Sequence, residues 1–210
     1  GYDDTLQVLT DAGIGHFGSY RVNSKDGYDH LAVKEIKGIR FGFVGFSYPQ
    51  DSDQKRIAQR IEKLKNEEKC DIVVVSLHWG RETYMTPESW QYKYAKQVMD
   101  AGADVIWGHH PHVIQPIHFY QGKPILYSTG NFTFGTMSHV DPSTGIFRLS
   151  FQRNEEGKVQ VTRMEVIPCE TQRSPDYRPF VLEDEEARKA VMFYEPCAVA
   201  ALCGNVCLGC

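Results

Sequence analysis

Four of the eight histidines stand in two short clusters, His78 in LHWGRE and His109, His110 and His112 in WGHHPH. Residues i and i+2 of an extended segment point to the same side, so His110 and His112 can face a common centre. Pro111 stiffens the backbone between them. Converging imidazoles suit a divalent transition metal, Zn, Mn, Fe or Ni, better than Mg or Ca. The plainer alternative is that the rings only cap strand ends and bond loop carbonyls. His78, His110 and His112 are the candidate metal ligands; His109, Glu82 and Asn131 are the candidates for catalytic roles beside them. Glu82, four residues after His78, suits either an acceptor for an imidazole N–H or a contact to a substrate cation; a loop ion pair with Arg81 or Lys93 is the competing use. Asn131, in STGNF, suits orienting a histidine or donating to a substrate oxygen, and equally a simple turn after Gly130.

These side chains need elements that bring two distant stretches together. Residues 71–77 (DIVVVSL) form a β-branched run typical of a strand covered on both faces. A helix follows at about 88–101, with Pro87 before it and Gly102 after it. Residues 103–107 (ADVIW) are the next buried strand. Strand, helix, strand is a βαβ unit with parallel strands and a right-handed crossover. Both strands then end at the same sheet edge, where α/β proteins place their ligands. Convergence of the two clusters follows from connectivity alone.

Around this unit the pattern predicts a helix at 3–12 and a hairpin of 30–36 with 39–46 about Lys37-Gly38. A charged helix is expected at 52–69 with Ile57, Ile61 and Leu64 as its apolar stripe. Two more hairpins are expected, 113–120 with 124–128 and 145–152 with 158–167. In RFGFVGF the glycines cost strand stability but admit another backbone or a ligand. Trp79, Trp107, Tyr84 and Phe132 flank the candidate site, as packing or as stacking walls. His16, His30, His118 and His139 lack such company and read as surface or core histidines. After Pro168 the chain turns polar and Pro-rich, so residues 1–168 read as the domain and 169–210 as an arm with a Cys-rich tail, with a short helix about 183–194.

The 210 residues carry a net charge of −4 with acids and bases interspersed, which argues against a nucleic-acid footprint. No run approaches the length of a membrane span. No G-x-S-x-G elbow or glycine-rich phosphate loop is present. Cys70 opens a buried strand, which suits an inert thiol. Cys197, Cys203, Cys207 and Cys210 end the chain in a C-x5-C-x3-C-x2-C spacing. It is compatible with a zinc or iron–sulfur site, with disulfides, or with an unstructured end.

The blocks VVVSLHWGRETY, QVMDAGADVIWGHHPHVIQP and GKPILYSTGNFTFG, with TLQVLTDAGIGHFG upstream, resemble the core of the CapA family of bacterial capsule and poly-γ-glutamate synthesis proteins. The resemblance covers roughly residues 1–150 in one order. It implies an α/β fold, part of a metallophosphoesterase-like four-layer αββα sandwich, with two divalent metals in the full-length protein. It places His78, His110 and His112 at late ligand positions and His109 in an adjacent loop. It implies an anionic envelope polymer or phosphoester as substrate and the extracytoplasmic face of the cell membrane as location, on an N-terminal anchor. The family's opening Gly-Asp pair, acidic residue after Leu and Asn-Asn-His do not occur here, so the N-terminal part is expected to be missing. Three neutral imidazoles supply no charge to neutralise a cation. The chain alone is therefore expected to bind metal weakly and hydrolyse little, and to pair its exposed sheet edges in an oligomer or with the absent half. Micromolar-or-tighter Mn or Zn binding by calorimetry would overturn the first expectation; a cooperative melt of a clean monomer would count against the second. Two functions remain open: metal-assisted hydrolysis or transfer at a phosphate or amide-like bond, and a binding, assembly or export component without catalysis. A mononuclear zinc site of the three histidines alone is a further possibility.

Overall fold

A computed structural model describes residues 1–18, 30–134, 140–171, 178–183 and 185. A six-stranded sheet forms the centre. Its strands are β1 (Ala32–Ile36), β2 (Ile39–Ser47), β3 (Ile72–His78), β4 (Val105–His109), β5 (Ile117–Tyr120) and β6 (Lys123–Leu126), in the order β1-β2-β3-β4-β6-β5. The inner four are mutually parallel, while β1 and β5 close the edges as antiparallel hairpin arms. A second, antiparallel sheet has the order β7-β8-β9, with β7 (Ser143–Arg153), β8 (Val159–Thr171) and β9 (Pro179–Val181). The remaining helices are α1 (Tyr2–Asp11), α2 (Gln54–Glu62) and α3 (Ser89–Asp100).

The alternation of β3 explains the layers. Val73, Val75 and Leu77 face one side, where they pack with Ile57 and Ile61 of α2 and with Tyr94, Ala95 and Val98 of α3. Val74, with Val105 and Trp107 of β4, belongs to a second cluster with Phe147, Leu149, Phe151 and Met164 of the other sheet. The described residues thus stack helix, sheet and sheet, three layers of the expected four.

The βαβ unit β3–α3–β4 is present with parallel register, pairing Val74 with Val105 and His78 with His109. Both strands run further than the side-chain pattern suggests, because the backbone ladder continues to the histidines; His109 is the last residue of β4 rather than a loop residue. The predicted helix at 52–69 is three pieces: a 3-10 turn at Asp51–Asp53, α2, and a wide π turn at Lys63–Glu67 that keeps Leu64 fully buried beside Ile61. The glycine pattern of β2 admits a backbone, as expected: a Cβ on Gly45 would lie 3.2 Å from the Cα of Gly18. β8 continues through Pro168 to Thr171, and β9 returns to pair with it, so the second sheet extends beyond residue 168. The four terminal cysteines, His139 and nearly all of the helix expected about 183–194 lie outside the described residues.

Between the sheets a groove of about 860 Å³ opens, lined by Phe41, Phe43, Val74, Trp107, Leu149 and Phe151. None of the clustered histidines lines it. At its margin, away from the carboxyl ends of the parallel strands, Arg153 of β7 binds both carboxylate oxygens of Asp71 at 2.8 and 2.9 Å and donates to the Gly38 carbonyl at 3.1 Å. The guanidinium hydrogen bonds hold the Asp71 carboxyl below its ordinary value, and the Arg40 N–H adds to this. A depressed carboxyl stabilises the fold above the unfolded value of about 3.9 and ceases to do so as pH falls through the folded one. Arg153→Ala should therefore melt below the parent chain at pH 7, and the gap should narrow as pH falls below about 4. A gap that does not change with pH would assign the effect to lost packing of the arginine stem.

Candidate metal centre

The carboxyl ends of three parallel strands deliver the site. His78 ends β3, His109 ends β4, and Tyr48 follows directly on β2. The Trp79 N–H donates to the His109 carbonyl at 3.0 Å, and the Tyr48 N–H donates to the His78 carbonyl at 2.8 Å, so the three exits are stitched together. Trp79 anchors the β3 exit from below. It is fully buried, stacks on Tyr127 at 5.6 Å and donates its indole N–H to the Tyr127 carbonyl at 3.0 Å.

Beyond β4 the chain turns sharply. His110 has φ of 100° and His112 has φ of 62°, a region that side chains other than glycine enter at a cost. The turn sets the His110 ring 4.7 Å from that of His78 and 5.9 Å from that of His112, between ring centroids. The loop after β3 comes to the same place. Its Thr83 N–H donates to the Pro111 carbonyl at 2.8 Å, and the buried Gln115 amide donates to the Tyr84 carbonyl at 2.7 Å. Glu82 is thereby held against the histidines. One ligand atom each from Glu82, His110 and His112 lie within 4.8 Å of one another. Arg81 does not compete for that carboxylate at close range: its guanidinium lies over the Tyr84 ring, 4.0 Å from the centroid.

Asn131 belongs to the site through its amide. Its Oδ1 lies 2.8 Å from His112 Nδ1, so Nδ1 carries the proton and Nε2 keeps its lone pair. The second sheet fixes this loop. Thr171 donates to the Asn131 and Phe132 carbonyls at 2.9 and 3.1 Å, and Thr144 donates to the Thr129 carbonyl at 3.1 Å. Thr171, within the stretch that composition marks as an arm, thus braces the centre.

Burial holds the His78 imidazole below its ordinary value, and the neighbouring His110, His109 and His112 add to that. Burial also lowers His110, against the opposing pull of Glu82. Both rings are then neutral near pH 7, the form that ligates metal. A first-row cation binds N and O donors at about 2.0–2.2 Å, which sets ligand atoms about 3.4 Å apart in a tetrahedron. The ligand atoms of the three side chains, within 4.8 Å of one another, lie little beyond that spacing, and two imidazoles with a carboxylate are donors that suit a transition-metal ion. His78 stands beside the trio, and Glu82 supplies an anionic donor that a set of imidazoles lacks.

The structure brings together His78, Glu82, His110, His112 and Asn131. His109 is exposed at the end of β4, beside His78 in register. His16 stays apart, 3.1 Å from the Thr10 hydroxyl and edge-on to His30, and His118 stacks on Tyr92. Trp79 is packing; Trp107 meets Phe147 between the sheets. Two site residues escape the sequence reading. Tyr48 packs edge-on against His78 and His110, and Phe134 lies 5.0 Å from the His112 ring. The available signal for Tyr48 is its place after a strand parallel to β3; nothing local marks Phe134.

The family described as bacterial capsule synthesis protein PGA_cap matches residues 1–136. The chain belongs to this family. It is 40% identical over 97 residues to the PGA biosynthesis protein CapA of Bacillus subtilis, covering 46% of this chain and 26% of that protein. It is 34% identical over 152 residues to the capsule biosynthesis protein CapA of Bacillus anthracis, covering 64% of this chain and 36% of that protein. The chain therefore spans only about a quarter to a third of the length of these curated relatives. A solved structure, a putative 5′-nucleotidase from Staphylococcus aureus in complex with α-ketoglutarate, superposes with a TM-score of 0.53 at 14% identity, over 88% of this chain and 37% of that one. The fold is that of the calcineurin-like phosphoesterases, as the CapA resemblance implies. No helix among the described residues is long and apolar enough to cross a membrane.

Proposed function

We propose that this PGA_cap chain carries part of the metal centre of a capsule or poly-γ-glutamate biosynthesis protein. Glu82, His110 and His112 hold one divalent transition-metal ion, Mn, Fe or Zn, with His78 beside it. The observation that carries this reading is the meeting of one carboxylate and two imidazoles, from loops after two parallel strands, within 4.8 Å. A bound ion supplies Lewis-acid stabilisation of negative charge developing on a substrate oxygen. The chain's own residues do the rest. Asn131 holds His112 in one tautomer, and His109, the register partner of His78, passes a proton to or from a leaving group. The substrate class is a phosphoester or an amide-like bond of an anionic envelope polymer, handled by the parent protein on the extracytoplasmic face of the membrane. A second metal would draw on residues elsewhere in the full-length protein. The names of the two Bacillus relatives, a PGA biosynthesis protein and a capsule biosynthesis protein, support this assignment.

A titration with Zn²⁺, followed through histidine resonances of the 210-residue chain, should saturate at one equivalent. Glu82→Gln keeps the side-chain shape and removes its charge, and should weaken zinc at least about tenfold. Equal binding by the variant would remove Glu82 from the ligand set. The second reading is a binding or assembly component without catalysis: the one carboxylate beside these histidines offsets only half the charge of a single divalent ion. Parent protein assayed with and without Mn²⁺ against phosphoesters and γ-glutamyl polymers separates the two: binding of polymer without turnover in either condition selects the second.

A further inference from the structure

We propose that Tyr48 is a positioning residue for His110: its phenol oxygen accepts the Nδ1 proton and leaves Nε2 free for the cation. The inference rests on the reading of His110 as a ligand. Tyr48 Oη lies 3.2 Å from His110 Nδ1, and the tyrosine ring packs edge-on against His110 at 4.9 Å and His78 at 5.2 Å between centroids. The backbone is bent to allow this. Tyr48 has φ of 49°, an unfavourable region for an aromatic residue, and its N–H is tied to the His78 carbonyl at 2.8 Å. Strain held in place by a hydrogen bond, at a residue more than half exposed, has little packing to recommend it. The partner ring offers the parallel: His112 Nδ1 meets an oxygen that can only accept, Oδ1 of Asn131. The phenol can accept or donate, and accepting at His110 Nδ1 gives both imidazoles the same tautomer, with both Nε2 lone pairs available at one centre.

Tyr48→Phe removes one oxygen and keeps the ring. Two-bond nitrogen–proton correlation spectra of the metal-free, ¹⁵N-labelled full chain report each histidine tautomer. The parent should show His110 protonated at Nδ1, and Tyr48→Phe should shift it toward the Nε2-protonated form while His112 stays unchanged. Zinc affinity should fall about tenfold, the lower end of the loss for an outer partner of a metal ligand. An unchanged His110 tautomer in the variant overturns the proposal, whatever its zinc affinity. A shifted tautomer with unchanged zinc affinity overturns the link to the cation. If the parent chain binds no zinc, the metal-centre reading fails, while the tautomer spectra still decide whether Tyr48 sets the proton on His110.

Discussion

Gly108→Ala should cost more stability than alanine at any other glycine among the described residues. A Cβ on Gly108 would sit 2.0 Å from the Tyr127 carbonyl oxygen, 2.5 Å from its carbon and 2.7 Å from the Leu126 oxygen. All three are backbone atoms where β6 leaves its ladder with β4, one step past the Trp107–Leu126 pair. No rotamer relieves the clash. The strand exit must move, and the Tyr127 carbonyl also accepts the Trp79 indole, which anchors the exit of β3. The fully buried Trp79 ring would lose its stacking on Tyr127 in the same displacement. The expected loss exceeds about 4 kcal/mol, a large part of the roughly 5–15 kcal/mol of a typical domain. Gly15→Ala is the control, because a Cβ there meets nothing within 4 Å. Thermal melts should place Gly15→Ala near the parent and show Gly108→Ala unfolded or deeply destabilised. Two variants with the same midpoint would show that β6 yields freely and that no close approach is needed at this rim.

Much of the centre is legible in the sequence. The β-branched run of β3 and its histidine, followed by a punctuated helix and a second apolar strand, imply parallel ends at one rim, and the rings of His78 and His110 meet there. Connectivity fixes this because a βαβ crossover leaves little choice. What lies beyond the strand ends follows a different rule. Whether Glu82 or His78 closes the tightest group with His110 and His112 depends on the path of the loop from Gly80 to Pro87. That path is set by the Thr83–Pro111 and Gln115–Tyr84 bonds, which no periodicity encodes. Tyr48 is hidden for a related reason. Its strand reads as the second arm of a hairpin with β1, and its other edge, parallel to β3, is decided by sheet order. Thr171 is hidden by composition, since the polar stretch that contains it reads as an arm although its hydroxyl braces the Asn131 loop.

His110 is where stability and metal binding should part. Its φ of 100° favours glycine, and a residue held in such a region costs about 1–3 kcal/mol. His110→Gly relieves that strain and gives back part of the gain, about 0.5–1 kcal/mol, through the extra freedom of glycine in the unfolded chain. His110→Ala keeps the strain, and both variants forfeit the ring contacts with Tyr48 and His78, so strain is what separates them. Without metal, the glycine variant should match or exceed the parent in thermal midpoint, and the alanine variant should fall below it. With zinc present the order changes. A cation that binds only the folded state raises the parent's midpoint with concentration, and both variants lack the ligand it needs. Their affinity should fall by more than the roughly 10–100-fold that loss of an outer partner costs. A glycine variant less stable than the alanine variant would mean that the turn after β4 stores no strain. Zinc that stabilises all three proteins alike would place the cation elsewhere. If instead the zinc-dependent gain is confined to the parent chain, the backbone cost at His110 is the cost of aiming an imidazole at a centre that β3 and β4 alone do not complete.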